Sequence, residues 1–171
     1  GLGDVYKRQV IAITRTCGSG ATSISRILGE RLGINVYDRN LLRLASDDSG
    51  INEELFARAD EHMKQSLLYR ISKKVYNGEI IPPDSNDFTS NDNLFNYQAK
   101  VLKELAANES FICIGRAADY ILKDNPNLIT IFICAPMDKC IKREMELLSF
   151  DAKKAEQHII TTDKYLSLIH I

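Results

Sequence analysis

Residues 10–33 join a short apolar run to a glycine turn and then to a helical pattern. Val10, Ile11 and Ile13 are typical of a buried strand, and four apolar residues follow them at helical spacing: Ile24, Ile27, Leu28 and Leu32. The period changes at residues 18–20, Gly-Ser-Gly, where glycines let the backbone turn sharply and let amide groups approach an anion. A helix that begins there adds the positive end of its dipole. The stretch therefore predicts a strand, a phosphate-binding loop and a helix.

Both ends of the chain carry sequence that is left out of fold reasoning. Asp4–Gln9 can be back-translated into DNA whose reverse complement encodes Leu166–Ile171, an inverted repeat that chance does not give. The repeat resembles the transposon end used to fragment DNA for sequencing, so residues 1–9 and 166–171 are interpreted as adapter-derived. Residues 10–165 are then expected to form one domain, and a further native segment is expected beyond Tyr165.

Length and charge limit the classes of function. Residues 10–165 are enough for one domain with its own core. Leaving Asp4, Lys7 and Arg8 out of the 22 basic and 23 acidic residues gives a net charge of −2, which supplies no basic field for nucleic acid. No apolar run approaches the roughly 20 residues of a spanning helix, so no membrane partner is expected.

The cysteines and histidines give no ligand pattern. Cys17, Cys113, Cys134 and Cys140 lie far apart without a C-x-x-C pair, so neither a disulfide framework nor a metal cluster is expected, and reduced thiols fit a cytoplasmic protein. Cys17 is interpreted as a small filler residue. His62 and His158 are interpreted as surface residues.

Strands and helices alternate along the rest of the chain. Further strands are expected over 34–37, 111–114 and 128–134, and helices over 40–45, 52–63, 65–75, 94–107, from Gly115 onward, 138–148 and 149–162. Asn52 is a candidate N-cap. Residues 77–93, with Gly78, two prolines and several Asp, Asn and Ser, are typical of a long mobile loop. In the last helix, four residues are expected to face inward: Ala152, Ala155, Ile159 and Ile160.

This order predicts an α/β fold with a parallel sheet covered on both faces. Ligands of such sheets bind at the carboxyl edge of the strands. The Gly18–Gly20 loop, Asp38 and Arg116 all follow strands directly, so we expect them at that edge.

Four segments together resemble the cytidylate kinase-like family of P-loop proteins: Thr14–Gly20, Tyr37-Asp38, Gly115–Leu122 and Phe132–Pro136. They occur in the order and roughly the spacing of that family, over nearly all of residues 10–165. The resemblance implies a three-layer α/β/α P-loop NTPase fold, with four strands present here and a fifth expected beyond Tyr165. It also implies a helical substrate-binding insertion over 46–98 and the start of a lid over 138–165.

The resemblance implies ATP and Mg²⁺ as cofactors and a nucleotide or other small acceptor as partner. The donor phosphates would be held by a set of loop residues: Arg15, Gly18, Ser19, Gly20, Ala21, Thr22 and Ser23. Thr22 would also reach the Mg²⁺ ion. Asp38 and Arg39 would begin the acceptor site, Arg116 would grip the acceptor phosphate in a bidentate manner, and Arg143 would reach the transferring phosphoryl group.

Structural alternatives stay open for several of these residues. Asp38 is as suitable for a helix N-cap as for a substrate contact. Thr22 could simply satisfy backbone groups in the first helical turn. Arg116 could be an ion-pair partner at the surface, and Arg143 could lie on a solvated helix face.

Three positions depart from the pattern of cytidylate kinases. Ala21 stands in place of the loop lysine, Ile114 in place of an aspartate and Cys140 in place of a lid arginine. Arg15 folding back over the phosphates and Asp119 in the metal shell are the expected compensations. Two functions therefore remain: phosphoryl transfer from ATP to a nucleoside monophosphate or similar acceptor, and a catalytically weak or inactive nucleotide-binding regulator. The acceptor base and the oligomeric state are left open.

Overall fold

The structure is a computed structural model that describes residues 8–65 and 79–169, with side chains described for 8–59 and 79–164. Four strands lie in these ranges: β1 (Val10–Arg15), β2 (Asn35–Tyr37), β3 (Phe111–Ile114) and β4 (Leu128–Ile133). Seven helices accompany them: α1 (Ala21–Leu32), α2 (Asn40–Ser49), α3 (Glu53–Gln65), α4 (Asn91–Asn108), α5 (Ala118–Ile121), α6 (Met137–Leu148) and α7 (Ala152–Ile169).

The strands form one parallel sheet in the order β2-β3-β1-β4. Alternate residues of β1 enter two separate cores because successive side chains of a strand point to opposite faces. Val10 and Ala12 pack with the helices α2 to α5, whereas Ile11 and Ile13 pack on the side of α1. Helices therefore cover both faces, and the predicted three-layer α/β/α fold is confirmed.

Helix α1 lies on the sheet mainly through small residues, and of its four spaced apolar residues only Leu28 packs against the core. Its buried positions are Ala21, Ser25 and Gly29, whereas Ile24 and Ile27 are 47% and 52% exposed. A Cβ atom on Gly29 would lie 2.5 Å from Cγ2 of Val36, so the helix approaches β2 too closely for a larger residue. The helix itself was predicted correctly, but three of its four spaced apolar residues, Ile24, Ile27 and Leu32, are exposed.

Helices α2, α3 and α4 pack together over β1 and β3. They overlap residues 46–98, and the substrate-binding role expected for that segment stays a prediction. Asn52 caps α3, because its Oδ1 accepts a hydrogen bond from the amide of Glu54 at 2.8 Å. The helix expected over 65–75 lies almost entirely outside the described residues.

The described part of the expected loop, residues 79–90, is tied to α4 by one buried side chain. Asn93 is fully buried, and its Nδ2 donates to the carbonyl oxygens of Ile81 at 3.2 Å and Phe88 at 2.7 Å. Its Oδ1 accepts from the amide of Ile81 at 2.8 Å. This segment is therefore anchored at both of its ends.

Asn93→Ala should lower the free energy of unfolding by about 2–3 kcal/mol, because it leaves a buried amide and two carbonyl groups without their partner. Urea denaturation followed by circular dichroism measures the change. Asn96→Ala is the matched control, since Asn96 makes one exposed hydrogen bond, to the carbonyl of Glu79. Equal losses in the two variants would mean that the Asn93 contacts do not hold the loop.

Two further predictions about helices were only partly correct. The chain after β3 does not enter a helix at Gly115, because Gly115, Arg116 and Ala117 have φ values of 69°, 57° and 50° and α5 begins only at Ala118. In α7, Ala155 and Ile159 are buried as expected, but Ala152 and Ile160 are exposed.

Among the described residues, no helix combines the length and apolar character needed to cross a bilayer.

Candidate phosphate-binding site

The loop between β1 and α1 owes its shape to two glycines in the left-handed region. Gly18 has a φ of 71° and Gly20 a φ of 83°, and a Cβ atom at either position would meet other atoms at 2.9 Å or less. At Gly18 the contact would be the backbone oxygen of Cys140, and at Gly20 the guanidinium of Arg143. Gly18 is required by conformation and by space, because the backbone of Cys140 lies against it, whereas Gly20 is required by its left-handed conformation.

The start of α1 leaves donors available to an anion. No side chain caps this helix, and no acidic residue lies in its first turn. Thr16 Oγ1 and Ser19 Oγ are buried and have no hydrogen-bond partner among the described residues. Uncapped amides, a helix dipole and two such hydroxyl groups fit a phosphate group.

Ala21 and Thr22 form the first turn of α1. The Ala21 side chain packs with Ile11 and Ile13. Because alanine is uncharged, it brings no positive charge to the loop. Thr22 is only half-buried, beside Ser23, which is exposed. A threonine hydroxyl at this position fits a ligand of Mg²⁺, which prefers oxygen.

Arg143 reaches the loop from α6. Its Nη1 donates to the carbonyl oxygen of Gly18 at 2.6 Å, and the guanidinium lies against Gly20. Arg143 is thus directed at the loop rather than only at solvent. It is the cation that α6 brings to the phosphate-binding side.

Arg116 lies in a strained turn at the carboxyl end of β3. It is the middle residue of three in succession with a left-handed backbone, a conformation that costs residues other than glycine about 1–2 kcal/mol each. Such strain tends to occur at functional sites, where it aims a side chain. The Gly115 amide, which donates to the carbonyl of Ile13 at 2.8 Å, ties this turn to β1.

Four charged residues converge around the thiol of Cys113. Burial raises the pKa of Cys113 to about 12, and Arg116, Asp38, Arg15 and Asp119 are all close enough to act on it electrostatically. The ends of β1, β2 and β3 and the start of α5 therefore bring two arginines and two aspartates together at one edge. Arg39, by contrast, is exposed at the start of α2.

The position of Arg15 differs from the expected one. Its Nη1 would lie 2.8 Å from a Cβ atom on Gly115, so the guanidinium packs under the turn that carries Arg116. Because β1 lies between β3 and β4 and the turn follows β3, Arg15 faces the Arg116 side of the edge.

The N-cap position of α2 is Arg39 rather than Asp38, and no side chain caps that helix.

A second group of polar residues lies behind the phosphate loop. The amide of Cys17 donates to Oδ1 of Asp163 at 2.6 Å, and the Nε2 atom of His158 is 3.7 Å from Oε2 of Glu144. Burial, with the nearby carboxylates of Glu144 and Asp163, raises the pKa of Cys17 to about 11. The sequence interpretation of Cys17 as a filler residue and His158 as a surface residue did not bring them together, because the members of this group come from the loop, α6 and α7 and share no spacing.

Comparison with known proteins agrees with this architecture. A curated cytidylate kinase from Fervidobacterium nodosum is 23% identical over 164 residues, which cover 88% of this chain and 74% of that protein. The crystal structure of an uncharacterized protein from Eubacterium ventriosum superposes with a TM-score of 0.63 at 26% identity, over 95% of this chain and 75% of the other. The model of the cytidylate kinase-like family matches residues 10–167. The chain, with its parallel sheet and the glycine-rich loop after β1, therefore belongs to the cytidylate kinase-like family.

Proposed function

We propose that this protein transfers a phosphoryl group from ATP to a nucleoside monophosphate or a similar small acceptor. The observation that supports the proposal is that two groups suited to bind anions lie at one edge of the sheet. The loop after β1 offers backbone amides, and the turn after β3 offers Arg116 beside Arg15. Two adjacent anion sites are what transfer between two phosphorylated molecules requires.

In this proposal the loop binds the donor. The amides of Ala21, Thr22 and Ser23 point along the dipole of α1, and Ser19 adds a buried hydroxyl group. Thr22 would hold Mg²⁺, which neutralises charge on the donor phosphates when it is bound. Arg143, already hydrogen-bonded to the loop, supplies a positive charge next to it.

The other half of the edge binds the acceptor. A guanidinium group presents paired donors that match a phosphate group, so Arg116 is suited to hold the acceptor's phosphate. Arg15 lies under the same turn and adds a second guanidinium. Asp38 and Asp119, which act on the same Cys113 thiol, would balance part of this positive charge.

A nucleotide-binding regulator without catalysis is the second candidate, and specific substitutions favour it. Ala21 and Cys140 occupy positions where cytidylate kinases carry a lysine and an arginine, and both side chains are buried. Ile114 is likewise buried at the position of an aspartate. Each missing charge could remove a few kcal/mol of transition-state stabilisation.

Two measurements on the same preparation separate these functions. Isothermal titration with ATP and Mg²⁺ measures donor binding, and a coupled assay with CMP, UMP, AMP and GMP measures turnover. Phosphoryl transfer predicts saturable ATP binding together with turnover of at least one acceptor. ATP binding with no turnover would support the regulator, and absence of ATP binding would contradict both.

A further inference from the structure

Cys17, Glu144 and His158 bring three different kinds of metal-binding group to one point. One sulfur, one carboxylate oxygen and one imidazole nitrogen lie within 4.8 Å of one another. The loop, α6 and α7 each contribute one residue, so the arrangement depends on the tertiary fold. It is separate from Thr22, which lies in the first turn of α1.

The spacing is close to what a metal ion needs. Bonds of about 2.0–2.3 Å in a tetrahedral Zn²⁺ site place ligand atoms roughly 3.3–3.8 Å apart. The nitrogen and oxygen of His158 and Glu144 are already 3.7 Å apart, too far for a hydrogen bond between them. A modest side-chain movement of Cys17 would complete the triangle.

Charge and burial at this point also favour a cation. The Glu144 side chain is only 9% exposed, and its ion-pair partner among the described residues is the half-exposed His158. A buried carboxylate is costly unless a positive charge balances it. The nearby cation Arg143 is directed at the Gly18 carbonyl oxygen, on the loop.

Neighbouring residues hold two of the three ligands in position. Asp163 accepts the amide hydrogen of Cys17, which fixes the backbone that carries the thiol. The ring of Phe150 meets the ring of His158 edge to face at 5.7 Å between centroids. Outer contacts of this kind orient the ligands of metal sites.

We propose that Cys17, Glu144 and His158 bind a Zn²⁺ ion that links the phosphate loop to α6 and α7. Thiolate and imidazole ligands select a borderline metal such as Zn²⁺, whereas Mg²⁺ prefers sites made only of oxygen. Binding releases the thiol proton to solvent, and one thiolate with one carboxylate then neutralises the ion. Water fills the fourth position, reached from the exposed side of His158.

Cobalt substitution tests the site directly. Untagged protein, freed of metal with a chelator and kept reduced, is titrated with Co²⁺ in the absence of nucleotide. We expect a thiolate-to-cobalt charge-transfer band that saturates at one ion per chain and is removed by Zn²⁺ but not by Mg²⁺. Zn²⁺ should also raise the melting temperature, because it binds the folded state.

Matched variants identify the ligands. Cys17→Ser should abolish the charge-transfer band, whereas Cys134→Ser, at an exposed cysteine, should keep it. Glu144→Gln and His158→Gln should weaken Co²⁺ binding by at least about 10–100-fold, the range for disturbed metal sites, whereas Glu146→Gln on the exposed side of α6 should not.

The proposal is overturned if the native protein gives no such band, or if the band persists in Cys17→Ser. Circular dichroism checks that each variant folds. If Cys17→Ser does not fold, the His158→Gln variant decides the question, because His158 lies near the surface. Since no nucleotide is present, failure here leaves phosphoryl transfer to be judged by its own assays.

Discussion

Gly20→Val should abolish measurable ATP binding. At a φ of 83° a β-branched side chain is strained, and its Cβ would lie 2.7 Å from Nη1 and 2.9 Å from Cζ of Arg143. The side chain would also cover the amides at the start of α1, which we propose hold the donor phosphates. Isothermal titration with ATP and Mg²⁺ measures the loss.

Gly50→Val is the matched control for this change. Gly50 has a similar φ of 71° at the end of α2, and a Cβ atom there would meet nothing within 4 Å. Both variants should lose about 1–2 kcal/mol of folding stability from the left-handed backbone, but Gly50→Val should keep its ATP affinity. If Gly20→Val binds ATP as well as the native protein does, the nucleotide lies elsewhere.

Arg116→Ala should raise the KM for the acceptor by roughly 10- to 150-fold and leave ATP binding almost unchanged. A charge-assisted hydrogen bond is worth about 1.5–3 kcal/mol, and these energies convert to that factor. Alanine keeps the left-handed strain at position 116, so the comparison isolates the guanidinium group. Coupled-assay kinetics at saturating ATP give the KM, and calorimetry gives the ATP affinity.

Two further variants sharpen this result. Arg116→Lys should recover little, because a point charge cannot reproduce the paired donors of arginine. Arg26→Ala removes an exposed arginine from α1 and should change neither parameter. Equal losses of ATP and acceptor binding in Arg116→Ala would instead identify Arg116 as a structural ion-pair partner.

The sheet and the glycine turn between β1 and α1 were predictable because their signals are local. Short apolar runs between polar segments gave all four strands that the described residues contain, and Gly33 ended α1 where expected. The glycines at positions 18 and 20 indicated a turn whose left-handed conformation only glycine adopts freely. In each case a few adjacent residues determine the structure.

Helix faces were harder to predict because apolar spacing does not show which neighbour a helix meets. The stripe with Ile24 and Ile27 reads as a core face, yet the close approach to Val36 requires Ala21, Ser25 and Gly29 there. The same ambiguity placed Ile160 inward. The turn at 115–117 was mistaken for a helix because Arg116 and Ala117 favour the right-handed region on their own.

The candidate site was predictable only in part for a related reason. Residues that directly follow strands, such as Asp38 and Arg116, could be assigned to the carboxyl edge from topology alone. The side on which Arg15 packs, and the contact of Cys17 with Glu144 and His158, depend on residues a hundred or more positions apart in the chain. The spacing of residues along the sequence does not predict such contacts.

In the left-handed turn from Gly115 to Ala117, a substitution that increases stability is expected to decrease the proposed activity. Glycine or asparagine at position 116 would adopt the observed backbone with less strain, so a search for a more thermostable variant should be drawn to this position. Any gain there would remove the guanidinium that the acceptor is proposed to need. Stabilising this scaffold without losing the proposed phosphoryl transfer therefore means keeping Arg116 and improving residues remote from the turn.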